Sequence, residues 1–144
     1  MRSEKAKKAD RILSELKDID CAISTFSKEI ASIEAMIPPG AMRYDGIGTS
    51  DGISDKTGNL AIKLMELRER TVNMMDSYIS RKIYAIEIIH KIPTVKHQIV
   101  LHKYYLQNLT LDEVAEDMKI SYQWVSTLLN RALEDFFDCM NDAA

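Results

Sequence analysis

The run Thr110-Leu111-Asp112-Glu113-Val114-Ala115-Glu116-Asp117-Met118-Lys119-Ile120-Ser121-Tyr122-Gln123-Trp124-Val125-Ser126-Thr127-Leu128-Leu129-Asn130-Arg131-Ala132-Leu133 holds two helix starts in close succession. Thr110 with Glu113 three positions on is a capping box: the threonine hydroxyl accepts from the Glu113 amide, and the glutamate accepts from the Thr110 amide. Leu109 with Val114, and Ile120 with Val125, have the spacing of hydrophobic staples. Ser121 is a good N-cap. The spacing therefore predicts a short helix over Leu111 to Met118, a turn at Lys119-Ile120, and a last helix to about Met140, which together make a helix-turn-helix. Ala115 falls where the two helices cross and only a small side chain fits, with Val125 and Leu128 facing it. Leu111, Val114, Met118, Ile120, Leu129, Ala132 and Leu133 complete a small core.

Upstream, Pro93 suits a helix start, and Val95, Ile99, Val100, Tyr104 and Leu106 give an apolar side to a helix over roughly Thr94 to Leu106. Before Pro93 the pattern is different. Ile12, Leu16, Ile19, Ile23, Phe26, Ile30, Ile33 and Ile37 step by 4, 3, 4, 3, 4, 3 and 4, a heptad seam that suits a coiled coil or a long helical hairpin. Pro38-Pro39-Gly40 stops it. A second long helix is expected from near Lys56 to about Lys91, with Leu60, Leu64, Leu67, Met74 or Met75, Tyr78, Ile79, Ile83, Ala85 or Ile86 and Ile89 as its apolar face. Its stripe drifts after Thr71, as expected of a helix with more than one neighbour. The fold class is all-α: a long, coiled-coil-like helical hairpin over 1–92, with a Gly/Pro-rich connector at 38–58, followed by a helix-turn-helix domain over 93–144.

Composition agrees. Of 144 residues only five are glycine and three proline, and every one of these except Pro93 lies between residues 38 and 58, which leaves too few turn signals for a sandwich or barrel. A net charge of −3 gives no global attraction to nucleic acid or anionic lipid. No apolar run suits a membrane span, and the first residues, rich in Arg2, Lys5, Lys7 and Lys8, do not read as a signal peptide; the expected location is the cytoplasm. Cys21 and Cys139 are far apart and read as reduced thiols. Catalysis is not expected: His90, His97 and His102 lack metal-ligand spacing, and neither cysteine has a nucleophile signature. No cofactor or metal is implied.

The segment from Tyr104-Tyr105-Leu106 through Thr110-Leu111-Asp112-Glu113-Val114-Ala115 to Ile120-Ser121, followed by Val125 and Arg131-Ala132-Leu133, resembles region 4 of the sigma-70 family over about residues 93–137. The chain as a whole also resembles small phage- and prophage-encoded sigma-like regulators of the ArpU/RinA late-transcription type. The resemblance implies binding of double-stranded promoter DNA by the last helix and contact with RNA polymerase. It departs from the family pattern where arginines are usual, at Tyr122, Trp124 and Ser126. Lys119 stands where a turn glycine is usual, so its backbone must either bear or avoid a left-handed conformation.

In a helix-turn-helix the N-terminal part of the last helix meets base edges in the major groove. Here that face offers Tyr122, Gln123, Ser126, Thr127 and Asn130, with Trp124 at its boundary. Gln123 suits adenine, and Ser126 and Thr127 suit either base type. Lys103, Lys119, Arg131 and the helix start at Thr110 are the expected phosphate contacts. Residues 93–144 carry four Lys+Arg against eight Asp+Glu, so DNA affinity requires help from a dimer through the long helices, from RNA polymerase, or from basic residues near the N-terminus. The expected function is that of an accessory transcription regulator. The alternatives are a small terminase subunit for phage DNA packaging and a helix-turn-helix protein-interaction adaptor.

Overall fold

The computed structural model describes residues 2–37 and 55–142. In chain order these form α1 (Glu4–Met36), α2 (Asp55–His90), α3 (Val95–Leu101), a π-helical turn (His102–Leu106), α4 (Leu111–Met118) and α5 (Tyr122–Asp142). Among the described residues there is no strand, and the fold is all-α with two long N-terminal helices. The expected stop at Pro38-Pro39-Gly40 and the connector up to residue 54 lie outside the described residues. Residues 55–58, placed in the connector by composition, belong to α2.

The chain divides into two compact units, residues 21–77 and residues 1–20 with 78–144. These limits differ from the partition drawn at Pro93, because α1 and α2 each contribute to both units. In the 21–77 unit, Phe26, Ile30 and Ile33 of α1 line a groove of about 250 Å3 with Leu67, Thr71 and Met74 of α2. Glu34 pairs with Arg68 beside it. Leu64 and Thr71 are buried, and the Thr71 hydroxyl donates to the Leu67 carbonyl at 2.9 Å. The heptad seam expected in this part of α1 is only partly covered: Ile23 and Ile30 are half-buried, while Phe26 and Ile33 are exposed. On α2, Leu60, Leu67 and Met75 are exposed too, since within a single helix pair each apolar stripe has only one neighbour to cover it.

The other unit holds the main core. Ala6, Ala9, Leu13 and Leu16 of α1 meet Ala85, Ile88, Ile89 and Ile92, together with Val100, Leu101, Tyr105, Leu106, Val114, Val125, Leu129, Leu133 and Phe136. The buried stripe of α1 here runs through positions 6, 9, 13 and 16 and shares only Leu16 with the seam that begins at Ile12, whose Ile12 is half-buried beside it. Two alanines let the helix approach its neighbours closely, and small residues are weak signals of an apolar face. On α2 the late stripe agrees at Ala85 and Ile89, which are buried together with Ile88, and differs at Ile79 and Ile83, which are exposed.

The helix expected over 94–106 is α-helical only to Leu101 and continues as the π turn. The Gln107 amide donates to the His102 carbonyl at 2.8 Å, and Asn108 ends the turn in a left-handed conformation with φ 57°. The extra residue in the turn lets Tyr105 and Leu106 both enter the core.

Candidate nucleic-acid interface

The helix-turn-helix is held by local chemistry. Glu113 N donates to Thr110 Oγ1 at 3.1 Å and Thr110 N donates to Glu113 Oε1 at 3.2 Å, so the capping box is complete. Ser121 Oγ accepts from the Trp124 amide at 3.1 Å, which caps α5. Between them Lys119 adopts φ 57° and ψ 45°. Its amide donates to the Glu116 carbonyl at 3.2 Å and the Ile120 amide donates to the Ala115 carbonyl at 3.0 Å, the two bonds of a Schellman motif. Lys119 therefore bears the left-handed backbone. Ala115, Val125 and Leu128 are all buried, as expected of the crossing.

This frame sets the outward face of α5. Tyr122 and Gln123 are exposed on its first turn, and Ser126, Thr127 and Asn130 are half-buried further along. The Thr127 hydroxyl donates to the Gln123 carbonyl at 3.1 Å, so what it has left to offer a base is an acceptor. Trp124 is exposed, and the Arg131 guanidinium lies 5.5 Å from its ring centroid, a cation–π contact that holds the arginine against the helix. Residues 118–133 contain no acidic side chain, whereas Lys119 and Arg131 stand at either end of the polar face.

Two expected phosphate contacts already have partners. Lys103 Nζ lies 3.0 Å from the Asp117 carboxylate, and Thr110 spends its hydroxyl and amide on the capping box. Lys119 and Arg131 have no carboxylate partner among the described residues.

The start of α1 packs along α5, which no local pattern in the sequence announced. Ser3 Oγ donates to Glu134 Oε1 at 3.0 Å, and Lys5 Nζ lies 3.0 Å from Asp138 Oδ1. The hydrogen bond and charge of Asp138 raise the Lys5 pKa. Lys8 Nζ sits 5.8 Å from the Phe137 ring centroid. The acidic C-terminal part of α5 is thereby offset: with residues 1–20 and 78–92 included, the unit carries thirteen Lys+Arg against fourteen Asp+Glu. Arg2 reaches further and donates from Nε to Asn130 Oδ1 at 2.9 Å.

Behind this contact lies buried polar chemistry. Tyr105 Oη donates to Asp10 Oδ1 at 2.5 Å, and burial first, then that bond, pushes the phenol pKa up. Lys17 stacks 3.7 Å from the Tyr104 ring centroid and has a lowered pKa because burial disfavours its charge. The rings of His90 and His102 are 5.7 Å apart. The His102 pKa is lowered, mostly by burial and then by His90 and Lys82. Among the described residues no cluster of three or more His, Cys, Asp or Glu could hold a metal, and no helix is long and apolar enough to cross a membrane.

Residues 94–135 match the family model described as Sigma-70, region 4. Comparison with curated proteins and with solved structures found no match. The matched segment runs from the start of α3 through most of α5 and contains the capping box, the turn and the polar face. The C-terminal part of the chain is therefore a sigma-70 region 4-like helix-turn-helix, a DNA-binding module of the sigma-factor kind.

Proposed function

We propose that the chain is a sequence-specific accessory transcription regulator of phage or prophage type, acting in the cytoplasm on promoter DNA together with RNA polymerase. The observation that carries this reading is the acid-free face of α5, Tyr122, Gln123, Ser126, Thr127 and Asn130, bounded by Lys119 and Arg131 and presented by a fully capped helix-turn-helix. Placed in the major groove, Gln123 pairs with adenine through its amide, while Thr127 accepts from an adenine or cytosine amino group. Lys119 and Arg131 meet the flanking phosphates. So few cations give weak counter-ion release, so the affinity has to be completed by polymerase or by a second copy of the chain bound through the long helices. The long helices lack a clustered aromatic face for capturing unstacked bases, so the protein assists a polymerase and does not melt promoters alone.

Replacing Gln123 and Thr127 together by alanine is expected to relax sequence preference, at about 1–3 kcal/mol for each good base contact. Footprints that do not change in this double variant would refute the assignment of those two residues. A second reading, a small terminase subunit or an assembly adaptor, draws support from the exposed apolar residues Phe26, Ile33, Leu60, Leu67 and Met75. Solution mass separates the two: a monomer or dimer fits transcription, and a large ring fits packaging.

A further inference from the structure

Asn130 is the last polar residue of the outward face of α5, and its side chain is not free to choose an orientation. Arg2 Nε can only donate, so the side-chain atom of Asn130 that meets it at 2.9 Å is Oδ1. Arg2 is itself fixed, because its Nη1 lies 3.1 Å from Asp10 Oδ2. Asp10 is fixed in turn, with Oδ1 accepting from the buried Tyr105 hydroxyl and from Ser14 Oγ at 3.2 Å. Two sets of charge-assisted hydrogen bonds, Tyr105 and Ser14 to Asp10 and Arg2 to Asn130, are therefore joined by the Arg2–Asp10 ion pair into one path from the π turn to the third turn of α5. Such bonds are about twice as strong as neutral ones, and each member here limits the freedom of the next.

We infer that Arg2 is a specificity-determining positioning residue: it turns the Asn130 amide so that only Nδ2, a donor, faces the DNA. An asparagine free to rotate reads adenine with both amide atoms, accepting from N6 and donating to N7. With Oδ1 turned toward Arg2, the edge left to face the DNA is Nδ2, which donates. It then suits a base whose major-groove edge carries only acceptors, guanine (O6 and N7) or thymine (O4), and disfavours adenine and cytosine, whose amino groups need an acceptor. Sequence discrimination by α5 would thus depend on a residue 128 positions away in the chain.

This inference rests on the proposed DNA-binding reading, and the test separates the two. Bound sequences are selected from a random duplex pool, with and without RNA polymerase, using the full chain and its Arg2→Met, Arg2→Lys and Asn130→Ala variants. The wild type is expected to favour guanine or thymine at one position by about five- to a hundredfold. Asn130→Ala should flatten that position alone. Arg2→Met, which has no donor, should shift it toward adenine, and Arg2→Lys, which keeps a donor, should retain part of the preference. A loss of fold alone would lower affinity evenly across all positions, and thermal melts of each variant identify it. If the wild type selects adenine at the position that Asn130→Ala flattens, or if Arg2→Met leaves that position unchanged, the positioning role is overturned while the DNA-binding reading stands. If no sequence is enriched by any form in either arm, the reading itself falls and the inference falls with it.

Discussion

Replacing Lys119 by glycine should stabilise the protein and weaken its DNA binding at the same time. Lys119 sits at φ 57° and ψ 45°, a conformation that costs a side-chain-bearing residue about 1–2 kcal/mol. Glycine removes that cost but gives the unfolded chain more freedom to lose, worth about 0.5–1 kcal/mol. The expected net gain is about 0.5–1 kcal/mol, or about 2–3 °C in Tm for a chain of this size. Trp124 is the single tryptophan and lies next to the turn on α5, so its fluorescence in a urea titration reports unfolding of this unit. The midpoint should rise with an unchanged slope. Lys119→Ala loses the same charge but keeps the Cβ, so it should show no such gain. On DNA, both variants should lose affinity about equally for all sequences, with the salt dependence shallower by about one ion. A lower midpoint for Lys119→Gly would refute the argument from backbone strain, and an unchanged salt dependence would remove Lys119 from the phosphate contacts.

Tyr105→Phe keeps the packing of the ring but removes the hydroxyl that donates to Asp10; it should cost about 1.5–3 kcal/mol by urea denaturation, and a smaller loss would mean that the bond contributes little. His102 has its pKa lowered by burial, so the unfolded chain takes up a proton before the folded one as pH falls through the ordinary histidine value of 6.5. Stability should therefore decline on acidification below that value, and His102→Gln should show a smaller difference between about pH 7.5 and about pH 5.5 than the wild type.

The helix-turn-helix was legible because its signals are local. Thr110, Glu113 and Ser121 act on backbone amides three residues away, so the sequence spacing is the geometry. The small residue at Ala115 and the apolar partners at Val125 and Leu128 follow from the same helical register. The long helices were legible in kind but not in contact. Heptad spacing marks a stripe without saying what covers it, and the buried stripe near the start of α1 uses Ala6 and Ala9, which carry little apolar signal. The π turn was invisible because a one-residue insertion in helical winding leaves Val100, Tyr104 and Leu106 within the tolerance of an ordinary helical face. Arg2, Asp10 and Tyr105 were missed for another reason. Their chain to Asn130 joins residues at opposite ends of the sequence, and no pattern within one helix encodes it.

Selection of bound duplexes from a random pool by the full wild-type chain, with and without RNA polymerase, tests the central claim most directly. A sequence-reading accessory regulator should enrich one motif, more strongly when polymerase is present, with Gln123 and Thr127 required for it. Enrichment of no sequence in either arm, together with a solution mass of a ring of many subunits, would contradict that account and favour an assembly role.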